Sequence, residues 1–227
     1  MIIDLEFTHM NGEHILISGA IANTRPSFKP KKLEGQPLRI SATQVRPFET
    51  YRVNVVEKIK SHVSKFLKPE SIEPLIKQLV LSIETKKNTL TMEFINNYLG
   101  NGKCRNTNLV FWNGTTDFKI LKLLKINRFN KALNISTLAR RPGDTYSLYL
   151  EDMCTRQTLF EWDLRETYRS GAQLNLKDTH ELICNENHDD ITYCHDSVTD
   201  AIYTKCIFKF IMNELKPKVL YGWCKPS

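Results

Sequence analysis

The sequence has no CxxC pair, and its six cysteines, at 104, 154, 184, 194, 206 and 224, form no dense framework. That spacing argues against a disulfide scaffold and favours reduced thiols in an intracellular setting, cytoplasmic or nuclear. No apolar run reaches the length of a membrane-spanning helix, so no membrane partner is expected. A signal peptide is not expected either, because the first strand starts at residue 2 and carries two acids. Internal repeats, low-complexity tracts and domain linkers are also missing. The 227 residues therefore read as a single domain, 1–227, long enough to bury a substantial core.

What is present is ordinary for a globular protein: 41% hydrophobic and 25% charged residues argue against disorder. The formal net charge of +7 points to an anionic partner, with nucleic acid or an acidic membrane surface the first candidates. The Lys, Asn and Ile usage hints at an AT-rich genome, viral or otherwise.

The opening MIIDLEF reads as a strand in which Ile3, Leu5 and Phe7 share one face and Asp4 and Glu6 the other. Two like charges so placed repel, unless the face is wet or a cation lies between them. MNGE is a turn signal, and HILISGAIAN should return antiparallel. Residues 25–50 hold four prolines and a cluster of Lys and Arg, which suggests a basic loop leading to a third strand near Ile40–Val45. Helical spacing then marks Val56, Ile59, Val63 and Phe66, followed by Ile72 to Ile83 with Ser71 as N-cap, and a third helix around Phe94–Leu99. NLVFWNG is a buried strand ending in a turn, TTDFKILKLLKI a helix from Thr115 or Thr116, and Ala132–Leu138 a strand. Within 140–170, an insert of uncertain structure, YSLYLED and TLFEWDL form a hairpin or two separate elements. LKDTHELIC suggests a short helix and SVTDAIYTKCIFKFIMNEL a long one closed by Pro217. Strands first, then mixed strands and helices, indicate an α/β layered sheet.

Asp117 follows Asn113 by four residues at a strand end, and Asp200 follows His195 by five. Positions five apart on a helix differ by about 140°. His195 therefore belongs in the loop before the last helix, with Asp196 or Ser197 as cap. Four acids at element ends and one imidazole suit phosphodiester hydrolysis. Two Mg²⁺ or Mn²⁺ ions about 3.5–4 Å apart activate water and stabilise the leaving oxygen. Hard cations take carboxylate oxygens, and an imidazole accepts the proton of the attacking water.

The sequence here resembles the DEDDh 3′→5′ exonucleases of the ribonuclease H-like fold. DLEF matches their first motif at Asp4 and Glu6, WNGTTD the second at Asn113 and Asp117, and HDSVTDA the third at His195, Asp200 and Ala201. The resemblance runs from residue 1 to about 213. It implies a mixed five-stranded sheet with helices on both faces. It also implies two metals held by Asp4, Glu6, Asp117 and Asp200, with His195 as general base. Phe7, Thr8 and His9 would line the terminal nucleotide, together with Asn113. Thr116 departs from the family, which often carries Phe before the second-motif Asp. The expected substrate is a DNA or RNA 3′ end, single-stranded, with Lys29, Lys31 and Lys32 contacting phosphates. The rival readings are a non-catalytic nucleic-acid binder of the same fold and a ribonuclease H-type endonuclease. A structural zinc on Cys184, His188, Cys194 and Cys224 is a further candidate, since thiolate and imidazole are its usual ligands.

Overall fold

The computed structural model describes residues 1–25, 27–33, 37–47, 55–65, 67–84, 107–140, 145–164, 174–186, 188 and 196–214. The strands are β1 Ile2–Met10, β2 Glu13–Ala22, β3 Lys31–Leu33, β4 Leu38–Ile40, β5 Val45–Pro47, β6 Leu109–Trp112, β7 Ala132–Arg140, β8 Thr145–Asp152 and β9 Gln157–Asp163. The helices are α1 Val55–Val63, α2 Pro69–Glu84, α3 Thr115–Leu123, α4 Leu176–Ile183 and α5 Ser197–Glu214. The chain is an α/β protein with one open, mixed sheet in the order β5-β4-β2-β1-β6-β7-β8-β9, and β3 adds to the edge of β2 beside β4. β6 runs parallel to both β1 and β7; the other pairings are antiparallel.

The sheet has nine strands where five were expected. Part of the excess lies in the basic stretch after residue 25, which is not simply a loop. The strand expected at Ile40–Val45 is instead a hairpin, β4 and β5, turning over Ser41–Gln44. The Ser41 hydroxyl accepts the Gln44 amide at 3.0 Å, and the Ser41 amide donates to the Gln44 carbonyl at 2.9 Å. A serine that bonds its own turn backbone competes with extended pairing, which is why the strand breaks there. Pro47 is tolerated in β5 because that is an edge strand, where a missing N–H leaves no gap in a ladder.

Elsewhere local sequence and structure agree closely. Asn11 and Gly12 take positive φ, 53° and 78°, as a two-residue hairpin turn demands. YSLYLED and TLFEWDL pair as the hairpin β8–β9. Asn175 caps α4 by accepting the Asp178 amide at 2.9 Å. Ser71 is not a cap: α2 starts two residues earlier, at Pro69, whose fixed φ suits a first helical position. The helix expected at Phe94–Leu99, together with Phe66 and Pro217, lies outside the described residues.

Both faces of the sheet are covered. On one, Ile3, Leu5, Leu16 and Leu38 pack with Phe118, Ile120 and Leu121 of α3. On the other, two clusters lie side by side. Ile2, Ala20, Val110 and Ile135 meet Ala201, Ile207 and Ile211 of α5. Ile15 and Ile17 meet Ile59, Val63, Leu75 and Leu79 of α1 and α2, with Met10 packed alongside. Along that face of β1, Ile2 belongs to the first cluster and Met10 to the second. Asp4, Glu6 and Thr8 alternate with the other face and lie between these two positions on the strand.

Candidate functional site

The acid pair of β1 sits where the strand outruns its neighbour. β1 and β6 pair in parallel at Ile2 and Val110, and β6 ends two residues later, at Trp112. Leu5 therefore lies beyond the last strand partner on that edge, and an unpaired amide there would be costly to bury. Asp117, in the first turn of α3, takes it: the Leu5 amide donates to Asp117 Oδ1 at 3.0 Å. A second-motif carboxylate is thus pinned to the first-motif strand across 112 residues of chain.

The turn that aims α3 is built from close contacts. Asn113 adopts φ 48°, a left-handed conformation that Asn tolerates better than most residues, and its amide donates to the Ile135 carbonyl at 3.0 Å. A Cβ on Gly114 would stand 2.2 Å from the Phe111 Cβ, so only glycine fits. The Gly114 amide donates to the Oδ1 of buried Asn134 on β7 at 3.0 Å. Asn113 itself is exposed, at the rim of a cleft of about 350 Å³ that Trp112, Ser136, Tyr149 and Asn175 also line.

The third-motif acid arrives on α5. Asp196 is the cap of that helix: its Oδ2 accepts the Thr199 amide at 3.2 Å, and its carbonyl accepts the Asp200 amide at 2.9 Å. This orients the first turn so that Asp200 faces β1. Carboxylate oxygens of Asp4, Glu6 and Asp200 lie within 4.8 Å of one another. Next to β1, β2 holds one extra residue at a bulge between Glu6 and Phe7, the kind of irregularity that often flanks a functional strand end.

The electrostatics are those of crowded anions. Burial first, then Glu6, Asp200, Asp117 and Asp196, raises the Asp4 carboxyl well above its usual range. Burial first and then Asp200, Asp117 and Asp196 do the same to Glu6, against a small opposing pull from Lys32. Burial pushes Asp117 up to about 7 in spite of the hydrogen bond from Leu5. Such a cluster is relieved either by sharing protons or by holding a cation. Asp4 Oδ2 is buried and has no hydrogen-bond partner. The donor set, all carboxylate oxygen, therefore fits a hard divalent cation.

Of the residues expected to act together, Asp4, Glu6, Asp117 and Asp200 converge. His195 lies outside the described residues. Phe7 is half-buried with its ring edge-on to His14 at 6.0 Å, Thr8 is buried within the sheet, and His9 is exposed, 5.2 Å from His14. Lys32 reaches Asp196 at 3.7 Å from β3, while Lys29 and Lys31 are exposed on the same segment. Lys205 of α5 holds the start of that segment through the Arg25 and Phe28 carbonyls, at 3.4 and 3.5 Å. Arg39, another base of this stretch, is occupied by an ion pair with Glu13.

A second group of donors gathers on the far side of α5: His180, Cys184, His188 and Cys206, with ligand atoms within 4.8 Å of one another. Cys184 and His188 were expected here, whereas Cys194 and Cys224 lie outside the described residues. His180 and Cys206 were not anticipated. The available hint for His180 was that it stands one helical turn before Cys184; the position of Cys206, six residues past Asp200, carried no such signal. Asn134 was missed as a positioning group, although a polar residue amid ALNIS, an apolar strand, was a signal; Asp196 is one of the two caps expected for the last helix. No family model, no curated protein and no solved structure matches this chain.

Proposed function

We propose that the protein is a metal-dependent 3′→5′ exonuclease of the DEDDh type on a ribonuclease H-like fold, acting on DNA or RNA. The observation that carries this reading is the convergence of Asp4, Glu6 and Asp200 within 4.8 Å, with Asp117 bonded to the backbone between the first two. Asp4, Glu6 and Asp200 would hold Mg²⁺ or Mn²⁺, and Asp117 would support a second ion. Those ions supply an activated water and stabilisation of the leaving oxygen.

The chain's own residues prepare the rest. The Leu5 amide holds Asp117 in one orientation, and the Asp196 cap fixes the turn that presents Asp200. His195, one residue before that cap in the sequence, would be the proton acceptor for the attacking water. By the resemblance, Asn113 and His9, both exposed, would contact the terminal nucleotide. Lys29 and Lys31, on the segment next to the site, would meet the phosphates further along.

Matched DNA and RNA oligonucleotides, single- and double-stranded and labelled at the 5′ end, test the proposal with Mg²⁺ and with Mn²⁺. The expected product is a ladder shortening from the 3′ end. Internal cuts would identify a ribonuclease H-type endonuclease instead, and binding without shortening a non-catalytic binder.

A further inference from the structure

The four donors behind α5 obey a geometry that hydrogen bonding does not explain. His188 Nε2 lies 3.3 Å from His180 Nε2, 3.4 Å from Cys184 Sγ and 3.3 Å from Cys206 Sγ. An imidazole nitrogen carries either one N–H or one lone pair, so it satisfies one such neighbour and not three. Three heteroatoms converge on a single ring nitrogen when all four surround a common centre. Zinc bond lengths of about 2.0–2.1 Å to nitrogen and 2.3 Å to sulfur, at tetrahedral angles, set edges of about 3.3 Å between nitrogens and about 3.6 Å between nitrogen and sulfur. The observed separations are close to those edges.

The surroundings suit a closed site. His180 and Cys206 are buried, at 5% and 8% exposure, and Cys184 and His188 are half-buried. The Tyr203 ring lies against His180 at 4.3 Å, on the same helix as Cys206. Cys184 and Cys206 are free thiols, so no disulfide explains their approach. Two sulfurs and two nitrogens, with no carboxylate among them, select zinc over the hard cations proposed for the acid cluster.

We propose that His180, Cys184, His188 and Cys206 form a tetrahedral structural zinc site that fastens the end of α4 and the chain at His188 to the middle of α5. The clip spans the third motif: three ligands precede His195 and Asp200, and one follows Asp200 by six residues. It thereby fixes both flanks of the segment that carries those residues. The inference stands apart from the nuclease reading and would hold for an inactive chain of this fold.

The test uses the full chain, purified and dialysed without chelator. Elemental analysis is expected to give about one zinc per chain, a content that D4N/E6Q keeps and C206S loses. Cobalt in place of zinc should show a thiolate charge-transfer band and the intense visible absorption of a tetrahedral ion. Alkylation mapped by mass spectrometry should spare Cys184 and Cys206 until zinc is removed, while exposed Cys154 reacts throughout. The mapping and the cobalt spectrum decide the matter on the unaltered chain if C206S does not fold. Absence of zinc both on isolation and after titration would overturn the proposal. So would protection of Cys194 or Cys224 in place of Cys206, or a C206S variant with unchanged zinc content.

Discussion

At the scale of single residues, the acid cluster has two separable properties. On the proposed nuclease reading each carboxylate is needed: Asp4→Asn, Glu6→Gln, Asp117→Asn and Asp200→Asn are expected to abolish nucleotide release, followed with a labelled strand. His195→Ala should slow release by about 10²–10⁴-fold, the usual loss for a general base. Energetically, the same acids strain the fold when no cation is present. A carboxyl whose folded pKa is raised makes its contribution at low pH and loses it as pH climbs through the folded value. For Asp117 that window runs from its usual 3.8 to about 7. The Tm in Mg²⁺-free buffer should therefore fall between pH 4 and 7, and Mg²⁺ should restore it at pH 7.5. Asp117→Asn, although inactive, should melt higher than the parent chain at pH 7.5 without Mg²⁺. A Tm that ignores both pH and Mg²⁺ would mean the acids hold no ion.

The four acids were legible in the sequence because Asp4 and Glu6 interrupt an alternating strand, while Asp117 and Asp200 stand in the first turns of recognisable helices. Asn134, His180 and Cys206 were not. Their roles depend on which strand or helix comes alongside, as when Asn134 accepts from an amide twenty residues away. Lys32 was legible as a base but not as a neighbour of the acids, since its partner Asp196 is contributed by the other end of the chain.

At the scale of elements, the junction from β6 to α3 is the least forgiving part of the fold. Gly114→Ala would drive a methyl into Phe111, 2.2 Å away, and neither backbone nor ring has room to yield. The expected cost is about 1–3 kcal/mol, read as a lower urea midpoint with an unchanged m-value. Nucleotide release should fall as well, because α3 carries Asp117. Long periodic elements such as β1, β2, β7 and α5 were readable from hydrophobic pattern alone. The short strands β3, β4 and β5 were not: three residues carry too little period to see, and each owes its extension to pairing along β2 or its neighbour.

At the scale of the whole molecule, the net charge of +7 includes bases in different settings. Glu13 engages Arg39 and Lys32 faces Asp196; Lys29 and Lys31 are exposed on the same segment as Lys32. Replacing both with Gln should weaken binding to any sequence alike. The slope of log affinity against log salt should shrink by about 0.7 for every single-strand phosphate that the variant no longer neutralises. An unchanged slope in a fluorescence-anisotropy titration would remove this segment from the interface. Among the described residues no helix is long and apolar enough to cross a membrane.

The early stop of β6 has a consequence for how such a chain tolerates change. Two more paired residues on that strand would claim the Leu5 amide for the ladder and evict Asp117 from its berth. Insertions should thus be harmless at the Ser41–Gln44 hairpin tip and ruinous between Trp112 and Thr115. In this architecture the place of the acid cluster is measured out by the brevity of a neighbouring strand.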